Sequence, residues 1–152
     1  MEAQHHHTPQ HSVSVAGVIL DDTSSRVLLI QRRDNGHWEP PGGVLELDET
    51  IEDGLRREIK EETGVDINVD QLTGVYKNMS RGIVNLVFRC EALTKALPST
   101  PEATAVAWVP VSEVGSLMAP AYSVRVTDAL ARRTAIIRAH DGTRLVDRAT
   151  QP

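Results

Sequence analysis

Between Gly43 and Val65 the chain reads GVLELDETIEDGLRREIKEETGV, a glycine turn that opens into a short helix crowded with acid. A helix over residues 50–63 has a proper start, with Asp48, Glu49 or Thr50 at its N-cap, and a proper stop at Gly64. Ile51, Leu55 and Ile59 recur every four residues and mark its buried stripe. At about 100° per residue, Glu58 and Glu62 project within roughly 20° of Ile51, with Glu61 about 80° to one side. The acids therefore share the inward arc with the apolar residues, while Glu52, Asp53, Arg56 and Lys60 point outward.

A solvated acidic face would lie opposite the apolar stripe, and here the acids continue it. Like charges three and four apart also destabilise a helix by roughly 0.2–0.5 kcal/mol per pair. Carboxylates gathered at the edge of a core need a countercharge. Hard divalent cations such as Mg²⁺ or Mn²⁺ take oxygen ligands of this kind and keep waters that substrate phosphates can replace.

Charge sharpens the point. The formal net charge is −5 from 21 acids and 16 bases, and Gly43 to Val65 holds eight of the acids and three of the bases, which leaves 13 of each elsewhere. A cation site fits that distribution. A surface for nucleic-acid polymers, which needs clustered Lys and Arg, does not. With 152 residues the expectation is one domain over 12–142, between flexible tails at 1–11 and 143–152. Neither a membrane-spanning run nor a signal-type segment is seen, so a soluble cytoplasmic protein is expected, compatible with a homodimer. Cys90 is the only cysteine and reads as a strand residue. His5, His6 and His7 lie in a polar terminal stretch and read as tail rather than as a metal site.

Along the chain, SVSVAGVIL (12–20) and RVLLIQR (26–32) flank the polar turn 21–25 and predict a hairpin. In His37-Trp38-Glu39-Pro40-Pro41-Gly42-Gly43, two prolines impose an extended approach and two glycines let backbone come close to an ion or phosphate. Residues 72–77 and 83–90 predict two strands around the turn 78–82, and 105–111 predicts another. Residues 111–114 resemble a short helix start, and 122–139 predict a longer helix ending at Asp141-Gly142. This order points to an α/β protein with a mixed sheet between helices, without giving its topology.

Gly43, Glu49, Arg57, Glu58, Ile59, Glu61, Glu62, Gly64 and Val65 match, at every defined position, the signature box of the Nudix hydrolases, which this chain resembles. The resemblance implies an α/β/α sandwich with a central mixed β-sheet, the box forming a loop-helix-loop. It also implies cleavage of a diphosphate bond in a nucleoside diphosphate linked to another moiety, with Mg²⁺ or Mn²⁺ as cofactor. Carried over, Glu58, Glu61 and Glu62 supply metal ligands, with the Gly43 carbonyl as a further one, and Glu58 or Glu61 acts as general base. Glu49 and Arg57 form a structural pair that orients the ligands, and Gly43 and Gly64 serve backbone conformation. Gly54 departs from the usual small helix former, at a cost to the helix of about 1 kcal/mol.

Outside the box, Glu102 stands where many relatives carry a distant acid that completes the metal site. Arg32 and Arg33, with Gln31, precede the glycine turn and are candidates for phosphate contacts; Arg81 is a candidate at the 78–82 turn. Trp38 either stacks on a base or packs under the loop. Many ADP-ribose hydrolases carry a proline about 16 residues past the box, a region held here by Ser80 and Arg81. The motifs of coenzyme A and NADH hydrolases are missing, and Tyr76 lies closer to the box than the tyrosine of dinucleoside polyphosphate hydrolases. A bare box in a small chain is compatible with a nucleoside triphosphate pyrophosphohydrolase. A nucleotide-sensing binding module is the alternative, disfavoured by the three intact glutamates. An isomerase acting on isopentenyl diphosphate is disfavoured because Cys90 lies outside the glycine turn.

Overall fold

The computed structural model describes residues 7–146, so His5, His6 and residues 147–152 lie outside the described part. In chain order the elements are β1 (Ser12–Ile19), β2 (Arg26–Arg32), β3 (Trp38–Glu39), β4 (Gly42–Val44), α1 (Ile51–Thr63), β5 (Ile67–Asn78) and β6 (Ile83–Ala92). They continue with β7 (Ala103–Pro110), a 3₁₀ turn at Val111–Glu113, α2 (Val114–Leu117), α3 (Pro120–Leu130), β8 (Ile136–His140) and β9 (Leu145–Val146). A mixed six-stranded sheet runs β4-β1-β6-β5-β8-β9, beside a three-stranded antiparallel sheet β3-β2-β7.

Helices cover both faces, and the alternation of side chains along the strands shows it. Val15 and Ile19 of β1 and Leu28 of β2 pack with Leu55 and Ile59 of α1. Their neighbours Ala16, Val18, Val27 and Leu29 face the opposite way and pack with Val126 and Ala129 of α3. Period-two alternation thus feeds two cores, one per helix layer. This is the expected α/β/α sandwich. Central β1 is apolar on both faces because it is covered on both.

Four local expectations change. The β1–β2 hairpin does not form a shared ladder: only Leu20 bridges Val27, and the strands diverge, β1 pairing in parallel with β6 and β2 pairing with β7. The polar turn survives because the Asp21 carboxylate accepts from the backbone N–H of Ser25 and Arg26. The helix expected over 122–139 starts at Pro120, whose fixed φ suits a first helical turn, and ends at Leu130. Arg132 then adopts φ 51°, and the β-branched pair Ile136-Ile137 enters β8, which pairs in parallel with β5. Leu145 and Val146, expected in a loose tail, pair with His140 and Ala139. Ile51, assigned to the buried stripe, is 43% exposed, since it opens the helix beyond the edge of the core. Among the described residues, no helix is long and apolar enough to cross a membrane.

Candidate active site

The site begins where β4 is stitched to β1. Ala16 pairs with Gly42 and Val15 with Gly43, while Leu45 N–H donates to Val13 O at 2.9 Å. This fixes the Gly42–Val44 backbone directly beneath one face of α1. A side chain at Gly43 would collide with the Glu58 carboxylate, so glycine is what lets acid and backbone approach. Gly54 has a related role on the same helix. A Cβ there would lie 2.8 Å from Glu49 Oε1 and closer still to Leu45, so the helix accepts a weak former to keep the loop against it.

Helix α1 is capped by Thr50, whose side chain accepts from Asp53 N–H, and ends at Gly64 with φ 77°. About two to three turns past the cap come the acids. Glu62 is 8% exposed, and its Oε1 accepts from Gly42 N–H at 2.7 Å. Burial, with the Glu58, Glu39 and Glu102 carboxylates adding to it, pushes the Glu62 carboxyl up to about 8 against the single hydrogen bond that favours its ionised form. The Glu58 carboxyl is also raised, first by burial and then by Glu61 and Glu102, with Arg57 acting in the opposite direction.

Arg57 is the organising cation. Its Nε and Nη2 donate to the two carboxylate oxygens of Glu49 at 2.8 and 2.6 Å. Its Nη1 reaches Glu58 Oε1 at 2.9 Å and Glu61 Oε2 at 3.3 Å, and Nη2 also reaches Val44 O at 3.3 Å. One guanidinium therefore ties the loop acid to two helix acids, in the bidentate geometry Arg favours.

Glu58, Glu62, Gly42, Gly43 and Glu102 line one open cleft of about 470 Å³, with Arg32, Arg33 and Asp34 on its rim. Glu61 does not line it and is half exposed, joined to the site through Arg57. Arg33 spends its donors on the loop that carries Glu102, reaching Thr100 O at 2.9 Å and Pro101 O at 3.1 Å, so it places that acid rather than standing free. Arg32 is held by Asp34 at 2.7 Å and Glu39 at 3.3 Å. Trp38 packs against the α3-side core and lines an adjoining hollow that it shares with Arg32, Glu39 and Arg81. Arg81 thus lies outside the acidic cleft, in a hollow that shares Arg32 and Asp34 with it as lining residues.

Among the described residues, no three His, Cys, Asp or Glu side chains already converge as a ligand set. The carboxylates instead turn to Arg57 and to Gly42 N–H. Their chemistry nonetheless fits a hard cation: oxygen donors only, carboxyls at Glu58 and Glu62 raised by burial and mutual repulsion, and a glycine cradle that leaves backbone within reach. Cys90 does not take part, being buried with its thiol pushed up to about 12 by burial. Sequence reasoning passed over Glu39, a largely buried acid whose carboxyl burial raises and which faces Arg32. The only signal for it was its place one residue before the prolines.

Residues 10–130 match the family model described as the NUDIX domain. The chain belongs to the Nudix hydrolase family. Over 138 residues, 91% of this chain and 89% of the other, it is 53% identical to a "MutT-like protein" of Streptomyces ambofaciens. It is 36% identical to a protein named "ADP-ribose pyrophosphatase" from Methanocaldococcus jannaschii, over 60% of this chain and 57% of that one. The Nudix fold is shared with a crystal structure of a NUDIX hydrolase from Nitrosomonas europaea, TM-score 0.74 at 20% identity, covering 88% of this chain and 82% of that one. As a Nudix hydrolase the protein acts on pyrophosphate bonds.

Proposed function

We propose that this Nudix hydrolase carries out divalent-metal-dependent hydrolysis of a diphosphate bond in a nucleoside diphosphate linked to another moiety. The observation that carries the reading is the shared cleft of Glu58, Glu62, Glu102 and the Gly42–Gly43 backbone, rimmed by arginines. An anionic diphosphate would not enter an acidic cleft without a countercharge. Mg²⁺ or Mn²⁺ held by Glu58, Glu61, Glu62, Glu102 and the Gly43 carbonyl would supply it, polarising the phosphoryl group and a water. Glu58 is the better candidate for general base than Glu61, because it lines the cleft and Glu61 does not, and burial raises its carboxyl. Arg57 holds Glu58 and Glu61 in place, Gly42 N–H orients Glu62, and Arg33 places Glu102 through its loop.

Support for the substrate comes from the name of a relative and from the box itself. The name "ADP-ribose pyrophosphatase" fits a nucleotide sugar, although the proline of many ADP-ribose hydrolases is missing here, and the bare box in a small chain fits a nucleoside triphosphate pyrophosphohydrolase. The test is a panel of nucleoside triphosphates, nucleotide sugars and dinucleoside polyphosphates with Mg²⁺ or Mn²⁺, run beside Glu58→Gln. Turnover in the wild type that collapses in the variant supports the reading. Calorimetric binding of a nucleotide with no turnover across the panel replaces it with the binding-module alternative.

A further inference from the structure

Arg125 of α3 is a buried cation with no carboxylate in ion-pair reach among the described residues. It is 6% exposed, and its guanidinium lies 4.6 Å from the Tyr122 ring centre and 5.2 Å from that of Tyr76. Guanidinium offers five N–H donors. One reaches Asn85 Oδ1 at 3.3 Å, a long bond, while Nε has no partner. Nη2 faces His140 Nε2 at 3.4 Å, but Gly142 N–H already donates to His140 Nδ1 at 3.0 Å. A neutral imidazole accepts at one nitrogen only, so Nε2 then carries its proton toward Arg125, and donor meets donor. Among the described residues, no carboxylate forms an ion pair with Arg125. Holding an unpaired charge out of water opposes folding, and apolar side chains of similar size commonly serve stability as well or better.

Arg125 lines a hollow of about 170 Å³ with Ser14, Asn85, Tyr122 and His140. Gly42, Gly43 and Arg32 border both this hollow and the acidic cleft. Two adjacent compartments, one with a net excess of acids and one with a net excess of arginines, therefore share one glycine wall. The cleft holds Glu58, Glu62, Glu102 and Asp34 against Arg32 and Arg33, while the hollow holds Arg81 and Arg125 beside the shared Arg32, which Asp34 and Glu39 already engage. A substrate with its diphosphate at the cleft would extend over Gly42–Gly43 into this hollow of about 170 Å³, room for a group about the size of one sugar ring.

We propose that this hollow takes an anionic group, a carboxylate or a phosphate ester, carried by the moiety attached to the scissile diphosphate, and that Arg125 selects for it. The proposal rests on the reading of the acidic cleft as the diphosphate site. Fork-like donors beside a planar aromatic wall suit a two-oxygen acceptor and leave a neutral hydroxymethyl group a poor match.

The experiment compares kcat/KM for UDP-glucuronate and UDP-glucose, with the ADP pair alongside, in the wild type and in Arg125→Met. The nucleoside diphosphate linked to glucose 6-phosphate separates a phosphate preference from a carboxylate preference. The wild type is expected to favour an anionic member by at least tenfold, and Arg125→Met to bring the ratio to about one. Equal wild-type rates, or a preference that persists in Arg125→Met or, where that variant fails to fold, in Arg125→Gln, overturn the proposal. Thermal-shift titration of the wild type with glucose 6-phosphate against glucose reads the hollow without turnover. Stabilisation by glucose 6-phosphate alone, in a protein that hydrolyses none of the nucleotides, keeps the hollow and removes the hydrolase reading. Equal response to both sugars counts against the hollow whatever the enzyme cleaves.

Discussion

Arg57 meets Glu49 through two parallel hydrogen bonds, Nε to Oε2 at 2.8 Å and Nη2 to Oε1 at 2.6 Å, and the Glu49 carboxylate also accepts from Glu46 N–H at 2.9 Å. The pair closes the loop 44–49 onto α1 while the remaining Nη1 holds Glu58 and Glu61. Arg57→Lys keeps the charge and loses the fork. Activity is expected to fall about 10–100-fold, the usual effect of removing a group that orients ligands. Steady-state rates across a Mg²⁺ titration check this, and a wild-type metal dependence in the variant would remove Arg57 from the positioning role.

The same pair sets a pH dependence. Hydrogen bonding from Arg57, then from Glu46 N–H, holds the Glu49 carboxyl at about 2, below its ordinary 4.5. A depressed carboxyl contributes stability above the unfolded value and loses it as pH falls through the folded one. The Tm of the wild type should therefore exceed that of Glu49→Gln at pH 6, with the gap narrowing from about pH 4.5 toward pH 2. A gap independent of pH would show that the pair is not what Glu49 contributes.

Glu58 and Glu61 differ in setting, one lining the cleft and the other half exposed beside it. At saturating Mg²⁺, Glu58→Gln should lower kcat by about 10²–10⁴-fold, the range for loss of a general base. Glu61→Gln should act mainly on the Mg²⁺ concentration needed for half-maximal rate. Reversed behaviour of the two variants in the same titration would move the base to Glu61.

Arg33 is predicted to act through the loop rather than on substrate. Three backbone carbonyls, of Thr100, Pro101 and Ala103, accept from it. Arg33→Met should reproduce the Mg²⁺ defect of Glu102→Gln, and the double variant should be little worse than either alone. Additive losses would separate the two residues.

Burial along α1 makes a stability contrast. Leu55 and Ile59 are fully buried, so truncation of either to Ala is expected to cost about 2–5 kcal/mol. Ile51→Ala, at an exposed helix end, should stay within about 1 kcal/mol. Urea unfolding of the three variants compares them directly.

That contrast also shows where sequence and structure part. Helical periodicity placed Leu55, Ile59 and Glu62 on one inward arc without any knowledge of the rest of the chain, because 3.6 residues per turn is a property of the backbone itself. It could not tell that Ile51 overhangs the core, since burial at a helix end depends on what is packed there. The β1–β2 turn was legible in its Asp and Ser residues, but not the divergence of the strands, because each found its ladder partner far along the chain, β1 in β6 and β2 in β7. Ile136 and Ile137 read as the tail of a helix until β5 offered an edge to pair with.

Taken alone, the sequence determined the acid-bearing helix with its caps, the glycine turn before it and the kind of ion those carboxylates suit. These follow from spacing and side-chain chemistry within 23 consecutive residues. Only the tertiary structure decided that Glu102 joins Glu58 and Glu62, that Arg33 serves the loop, and that Arg125, Asn85, Tyr122 and His140 close a cationic hollow behind Gly42 and Gly43. Those residues come from separate elements, and sheet pairing and helix packing, which no local spacing encodes, set their distances.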